Sequence, residues 1–181
     1  MAGRMPRGDA PPARQNRQTG PSHEERDPAA AARDCALRLL ARRDHSAAEL
    51  RRKLLQRGFQ DETVQPLLDR LTESGLLNDR RFAERWVEAA LTSGRGFGPR
   101  LRMELQRRGI AGELAAEVSA RATTEIDEHA ALRELVARKM PAFDPLTASD
   151  RERRRIFGYL QRRGFSTAAI ISLLRAGTET G

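Results

Sequence analysis

Three glycines, Gly58, Gly109 and Gly164, occupy the same position in an internal repeat, with separations of 51 and 55 residues. Apolar residues stand eight and four positions before each glycine and one position after it, and an arginine directly precedes it. Positions four apart share one face of a helix, and a glycine supplies the left-handed conformation that commonly ends a helix. The pattern therefore predicts three copies of a helix that ends at a glycine, with the apolar columns in the core. In chain order the columns contain Leu50, Leu54, Arg57 and Phe59; Leu101, Leu105, Arg108 and Ile110; and Ile156, Leu160, Arg163 and Phe165.

Capping residues and apolar spacing divide the chain into nine predicted helices, three in each repeat. The first begins at Asp27-Pro28 and runs to about residue 43. The third begins near residue 62 with Pro66 near its first turn, and the seventh begins near residue 125. Two Ser-x-x-Glu sequences, at residues 46–49 and 149–152, predict capping boxes for the second and eighth helices. No segment shows the period-two alternation of a strand. The predicted fold is all-α, with three tandem three-helix repeats.

We place the repeats at residues 28–77, 78–122 and 123–176. Residues 1–27 are rich in Pro, Gly, Arg and Gln and contain almost no large apolar residues. Such a composition buries too little surface to offset the entropy of ordering, which predicts a disordered tail. Residues 177–181 are predicted to be disordered as well.

The charge is sorted by helix type. The chain has 33 Lys+Arg and 25 Asp+Glu, a net charge of +8, and basic residues concentrate on the middle helix of each repeat, whereas the third helices are acidic or neutral. Two simpler explanations of these charges do not involve a partner. An arginine in the last turn of a helix interacts favourably with the helix dipole, and a basic helical surface can simply be solvated. We nevertheless predict a partner-binding surface on the middle helices. This basic stripe contains Arg51, Arg52, Lys53, Arg57, Arg100, Arg102, Arg107, Arg108, Arg153, Arg154, Arg155, Arg162 and Arg163. The arginines that we expect to be free to face solvent there are Arg51, Arg102, Arg107, Arg154 and Arg155.

No pattern for catalysis, metal binding or a cofactor is present. The three histidines, His23, His45 and His129, and the single Cys35 have no zinc-ligand spacing. The glycine-rich stretch at residues 94–98 lacks the Lys-Ser/Thr of a phosphate-binding loop. We expect no catalytic, metal or cofactor site. One cysteine, no secretory signal and no long apolar run predict a cytoplasmic protein outside the membrane.

Several sequence blocks resemble the RecX family. The segment GLLNDRRFAERWVEAALTSGRGFGPRLRMELQRRGI, residues 75–110, carries its motif, and HSAAELRRKLLQRGF, residues 45–59, and LQRRGF, residues 160–165, are similar to its first and third units. The resemblance covers residues 30–175 and is weaker between residues 121 and 151. The motif positions outside the columns above are Asp79, Phe82, Trp86 and Pro99.

The resemblance implies an elongated, curved array of three repeats and a protein that is not an enzyme. It implies a regulator that lies along the groove of the RecA–DNA filament and restrains ATP hydrolysis, strand exchange and filament growth in recombination and the SOS response. We expect such a protein to be a monomer.

A sequence-tolerant DNA-binding protein is the chief alternative. Each pair of helices joined at a glycine resembles a helix-turn-helix, and a basic stripe suits phosphates of single- or double-stranded DNA. Direct DNA binding predicts strong salt dependence without RecA, whereas filament binding predicts tight association only when RecA is present.

Overall fold

The computed structural model describes residues 27–175. This part of the chain contains nine helices and no strand: α1 (Pro28–Leu40), α2 (Ala47–Leu55), α3 (Asp61–Glu73), α4 (Asp79–Thr92), α5 (Pro99–Arg107), α6 (Gly112–Thr124), α7 (Glu128–Lys139), α8 (Asp150–Arg163) and α9 (Thr167–Arg175). The all-α prediction is confirmed. Of the tail predicted at residues 1–27, only Asp27 is described, where it caps α1. The other residues of both predicted disordered ends lie outside the described range.

The helices pack in consecutive groups of three. Helix α3 contacts both α1 and α2, α6 contacts both α4 and α5, and α9 contacts both α7 and α8. Each group encloses its own apolar cluster. Leu50, Leu54, Leu101, Leu105 and Leu160 are fully buried in these clusters. Because each group buries its own apolar face, the described chain is an array of three-helix repeats.

Every middle helix ends in the same turn. Gly58, Gly109 and Gly164 have φ angles of 88°, 81° and 97°. The N–H of the apolar residue after each glycine donates to a carbonyl five residues earlier, for example from Ile110 to Leu105 at 3.1 Å. This is the Schellman motif, in which the left-handed residue is usually glycine. The predicted capping function of the three glycines is confirmed.

Helix ends differ from the prediction in a few places. Helix α1 ends at Leu40 rather than near residue 43, and α3 begins at Asp61, which puts Pro66 past the first turn. Helix α7 begins at Glu128 rather than near residue 125, because Asp127 is its N-cap. Helix α6 continues to Thr124, so the repeat boundary predicted between residues 122 and 123 falls inside its last turn.

Candidate partner-binding surface

The N-terminus of α2 rests on the glycine turn that ends α5. Ser46 Oγ donates to the Arg108 carbonyl at 2.5 Å, and the same hydroxyl accepts from the Glu49 N–H at 3.1 Å. A Cβ on Gly109 would collide with the Cβ of Ala48. The glycine therefore ends α5 and also admits Ala48 of the preceding repeat at close range.

Helix α4 holds the same segment from the other side. The Asp79 carboxylate accepts from the Ala47 N–H at 2.8 Å, and Arg85 pairs with Asp44 at 2.7 Å. Asp79 thereby satisfies one of the free N–H groups in the first turn of α2. We call the contacts of residues 44–48 with α4 and the α5 turn the first junction.

The loop before α5 rests in the same way on the turn that ends α8. The Phe97 N–H donates to the Arg163 carbonyl at 2.8 Å, and Arg163 donates to the Gly94 carbonyl at 2.7 Å. The rings of Phe97 and Phe165 stack with centroids 4.9 Å apart and an interplanar angle of 7°. A Cβ on Gly164 would collide with the Phe97 carbonyl oxygen. We call the contacts of residues 94–100 with α7 and the α8 turn the second junction.

The two junctions bring the three middle helices into head-to-tail contact. Ser46 and Phe97 each stand twelve residues before their own repeat glycine, and each donates to the carbonyl of the arginine that precedes the next one. The positive end of one helix dipole therefore meets the negative end of another. All thirteen residues of the basic stripe lie on this run of α2, α5 and α8 or in the turns that end them.

Part of the stripe is occupied by contacts within the protein. Glu104 forms ion pairs with Arg100 at 2.7 Å, Arg107 at 3.1 Å and Arg108 at 2.9 Å. The hydrogen bond from Arg108, with the charges of Arg100 and Arg107, lowers the pKa of Glu104 despite its partial burial. The Arg108 guanidinium also lies 4.3 Å from the ring centroid of Trp86. Arg107 faces solvent as predicted, but it is paired rather than free.

Four other stripe arginines also bond within the chain. Arg51, which we expected to be free in solvent, donates twice to Asp61 at 3.0 and 2.6 Å. Arg57 donates to the Lys53 carbonyl, and Arg153 donates to the carbonyls of residues 145 and 148. Arg163 belongs to the second junction. These side chains are held in place by the fold.

The remaining six stripe residues form no side-chain hydrogen bond or ion pair with the described part of the chain. They occur on all three middle helices, and all but the half-buried Lys53 are exposed. An exposed guanidinium presents a fork of N–H donors that matches a carboxylate or a phosphate. These open cations are the strongest candidates for partner contact: Arg52, Lys53, Arg102, Arg154, Arg155 and Arg162.

A buried polar pair behind the first junction was not predicted. His45 is 3% exposed, and its Nδ1 lies 3.2 Å from Glu49 Oε2, which also accepts from Arg43 at 3.0 Å. Glu49 therefore does not turn back to the Ser46 N–H, and only the Ser46 half of the predicted capping box forms. Burial lowers the pKa of His45, and the charge of Arg43 acts in the same direction. A single histidine in a turn carries no sequence signal for this arrangement.

The described residues contain no group of three or more His, Cys, Asp and Glu side chains placed to hold a metal ion. None of the helices in residues 27–175 has the length and apolar character needed to cross a membrane. The most distinctive chemistry of the described surface is the row of open cations.

Tandem three-helix repeats with a basic run of middle helices define a helical-repeat protein with an extended cationic surface. Models of the first, second and third three-helix domains of RecX match residues 32–71, 78–118 and 126–174. The chain belongs to the RecX family, as the motif resemblance predicted.

Curated relatives extend over most of the chain. A regulatory protein RecX from Trichlorobacter lovleyi is 44% identical over 77% of this chain and 93% of its own length. Its counterpart from Halorhodospira halophila is 42% identical over 82% of this chain and 89% of its own length. The crystal structure of RecX from Lactobacillus salivarius has a TM-score of 0.64 and 18% identity, covering 84% of this chain and 97% of that one. The similarity to the Lactobacillus salivarius structure, at this low sequence identity, shows a shared fold.

Proposed function

We propose that this chain binds the RecA filament on DNA and inhibits RecA ATP hydrolysis, strand exchange and filament growth. It acts as a regulator rather than an enzyme, as a monomer in the cytoplasm, in recombination and the SOS response. Membership of a family of proteins named regulatory protein RecX supports this proposal. The observation that carries it is the head-to-tail run of α2, α5 and α8, with open cations on each helix.

The repeat architecture suits such a partner. A filament presents one surface at regular intervals, and three linked copies of one unit can engage it at several points. Each additional contact then forms at a high effective concentration, so modest individual contacts add up to tight binding. Cations that are not paired within the protein lose no internal ion pair when they meet a carboxylate or a phosphate.

Inhibition of RecA ATP hydrolysis on single-stranded DNA tests the proposal. We expect the unmodified chain to inhibit, and the double variant Arg102→Glu with Arg154→Glu to inhibit several-fold less, because charge reversal slows electrostatic association. The matched control is Arg33→Glu with Arg133→Glu, which makes the same charge change at exposed positions of α1 and α7. Surface changes of this kind shift stability by only about 0.5 kcal/mol.

Three results would count against parts of the proposal. No inhibition by the unmodified chain would remove the RecA function. Equal inhibition by the unmodified chain and both double variants would show that the middle helices do not meet the filament. An equal loss in both double variants would indicate that net charge matters rather than this surface.

Direct binding to DNA is a second candidate, because the open cations are also suited to phosphates. Binding to single- and double-stranded DNA without RecA, measured across salt concentrations, separates the two. Direct binding predicts a steep salt dependence whose slope falls by about 1 for each phosphate contact removed. Weak DNA binding without RecA, together with tight binding to the filament, favours the first function.

A further inference from the structure

Each junction joins the loop before one middle helix to the turn that ends the next one. The loop before α2 contacts the α5 turn, and the loop before α5 contacts the α8 turn. Within the described chain, two such elements have no counterpart: the turn that ends α2, at residues 57–59, and the loop before α8, at residues 140–149. We call them the free turn and the free loop. The array of repeats therefore carries one half of a junction at each end.

The free turn keeps the features of an occupied turn. A Cβ on Gly58 would meet no heavy atom of the described chain within 4 Å, whereas one at either other repeat glycine would collide with the preceding repeat. The Arg57 carbonyl accepts no hydrogen bond from the described chain, while the equivalent carbonyls of the other two turns each accept one. Phe59 is half-buried, whereas its counterpart Phe165 is 6% exposed and stacks on Phe97. An acceptor and an apolar surface are thus open at this turn.

The groove beside the free turn matches the groove that holds a loop in the third repeat. In the third repeat the loop residue against Leu135 is Gly94, where a Cβ would collide with the leucine. Cys35, which replaces Leu135 in the first repeat, is shorter, and the groove has a volume of about 670 Å³. It therefore has room for a loop that carries side chains. The equivalent lining residues are Ala31, Asp34, Cys35 and Arg38 on α1, and Ala131, Glu134, Leu135 and Arg138 on α7.

The free loop projects from the third repeat. Helix α8 has 14 residues, whereas α2 and α5 have 9 each. When the three are aligned at their repeat glycines, the N-terminus of α8 reaches about 7 Å further. The hydrogen bonds of the free loop stay within residues 136–153 of the described chain. Leu146 of this loop is 61% exposed, against 6% for Phe97 in the loop before α5.

We propose that the free loop of one molecule docks on the free turn of a second copy. The contact repeats the internal junctions between molecules and continues the array in the same direction. Leu146 packs in the groove against Phe59, much as Phe97 packs on Phe165 at the second junction. The N-terminus of α8 then faces the C-terminus of α2, so opposite ends of two helix dipoles meet. Two first-repeat grooves facing each other would instead bring two negative helix ends together.

Charge complementarity supports a second copy as the occupant. Asp34 is exposed in the groove and forms no hydrogen bond or ion pair with the described chain. Arg85 stands at the same distance from its N-cap in the second repeat and pairs with Asp44 of the docked loop. Arg151, in the first turn of α8, is exposed and likewise unpaired within residues 27–175. A pair between Asp34 and Arg151 of two copies reproduces the internal pair with its charges exchanged.

The contact is small and has a direction. It involves one loop and one turn, less than the roughly 1,200–2,000 Å² that stable interfaces bury, so dilute chains stay monomeric. Because the two surfaces differ, the contact joins copies in a row rather than in a closed two-fold pair. A row with one direction suits a filament, whose surface repeats at regular intervals. That use depends on the proposed RecA binding, whereas the contact between copies does not.

Disulfide formation between two full-length single-cysteine variants tests the contact without RecA. Both variants carry Cys35→Ala, which removes the only natural cysteine. One adds Thr147→Cys in the free loop, and the other adds Ala30→Cys in the groove. At high protein concentration and under mild oxidation, we expect mixed dimers to form several-fold faster than homodimers of either variant. In the matched control, Ala29→Cys replaces Ala30→Cys; it is exposed on the same helix but outside the groove lining, and should lose this advantage.

Two results would overturn the proposal. Equal rates of mixed-dimer formation with the Ala30 and Ala29 variants would show that the free loop does not enter the groove. Homodimers of the Ala30→Cys variant that form faster than mixed dimers would show that two first-repeat grooves face each other. Because RecA is absent from this experiment, neither result bears on inhibition of RecA, and a chain that fails to inhibit RecA can still form the mixed dimers.

An exchange of charges tests the pair between Asp34 and Arg151. Asp34→Arg in the Ala30→Cys variant, or Arg151→Asp in the Thr147→Cys variant, should slow mixed-dimer formation several-fold, because like charges then meet. Both changes together should restore most of the rate. Arg151→Asp also lowers the net charge of +8, so an effect of net charge alone would speed association rather than slow it. Failure of the double exchange to restore the rate would overturn the assignment of these two residues as partners.

Discussion

The two junctions place the same backbone groups together with different side chains. At the first junction, a serine hydroxyl, an aspartate and an Arg–Asp ion pair hold α2 on the turn of α5. At the second, two stacked phenylalanine rings and backbone carbonyls hold the loop before α5 on the turn of α8. In both, the acceptor is the carbonyl of the arginine that precedes the repeat glycine.

The difference separates what locates a junction from what stabilises it. The glycine turn provides the carbonyl and the space, and so determines where the neighbouring repeat makes contact. The stabilisation then comes from apolar burial at the second junction and from helix capping at the first. Burial of an aromatic side chain stabilises by several kcal/mol, whereas a helix cap contributes about 1 kcal/mol. The second junction should therefore be the stronger of the two.

Removal of the stacked ring gives the largest expected effect. Phe97 and Phe165 are each 6% exposed, so Phe97→Ala leaves a cavity and should lower the free energy of unfolding by about 3–5 kcal/mol. Phe59→Ala is the control, because this half-buried counterpart of Phe165 buries less surface. Denaturant unfolding of the variants measures both. A loss for Phe97→Ala no greater than that for Ser46→Ala would reverse the ranking of the junctions.

Alanine at the three repeat glycines tests the space that the turns provide. Gly58→Ala brings only the strain of a left-handed non-glycine residue, about 1–2 kcal/mol. Gly109→Ala and Gly164→Ala add a collision with the preceding repeat and should cost about 2–4 kcal/mol. Gly164→Ala should be the worse of these two, since its Cβ meets the backbone of Phe97. Thermal or denaturant unfolding ranks the three variants by their loss of stability. Equal losses in all three would mean that the junctions rearrange to accommodate the added methyl group.

The core and the helix-ending turns could be predicted from sequence, since both depend on local spacing. Leucines four apart before a glycine define a buried helical face and its end wherever they occur. The junctions could not be predicted in this way. Ser46 and Phe97 occupy the same repeat position but share no side-chain chemistry, and in Phe97 the donor is the backbone N–H.

The basic stripe was predictable from composition, but its ion pairs were only partly predictable. Arg107 pairs with Glu104 three residues before it, whereas Arg102, two residues before Glu104, lies on another face of the helix and stays open. Arg51 is paired with Asp61, which stands ten residues away in α3. Helical spacing therefore accounts for the pairs within α5, but no helical periodicity reports the tertiary contact of Arg51. The role of the open cations in partner binding stays a prediction.

Truncation of the serine at the first junction should have a smaller effect than loss of the ring. Ser46→Ala removes the cap of α2 and leaves the Arg108 carbonyl without this donor, which should cost about 1–2 kcal/mol. Ser149→Ala is the control, because Ser149 caps α8 at an exposed site without a contact to another repeat. If denaturant unfolding gives equal losses for both variants, the hydroxyl contributes through its cap alone and the first junction is weaker than its geometry indicates.

The smallest expected effect is a pH dependence confined to the first junction. Burial, assisted by the charge of Arg43 and opposed by Glu49, holds the pKa of His45 below its ordinary 6.5. The unfolded chain then takes up this proton at a higher pH than the folded chain does. The contribution of neutral His45 is therefore present above pH 6.5 and is lost as the pH falls through the folded pKa.

Asp79, also at the first junction, affects the pH dependence of stability in the opposite direction from His45 and at lower pH. Burial raises its pKa above 3.8, against the effect of the Ala47 N–H, so its burial opposes folding less as the pH falls towards that range.

Between pH 7 and 5 we expect the free energy of opening, measured by amide hydrogen exchange, to fall for Leu50 in α2. It should change little for Phe97, whose junction is formed by aromatic rings, backbone groups and an arginine side chain, without a histidine or a carboxylate. The variant His45→Gln should flatten the dependence at Leu50, because glutamine does not titrate. A parallel fall at both amides, unchanged in that variant, would show that the proton acts elsewhere and that the junctions do not differ in this respect.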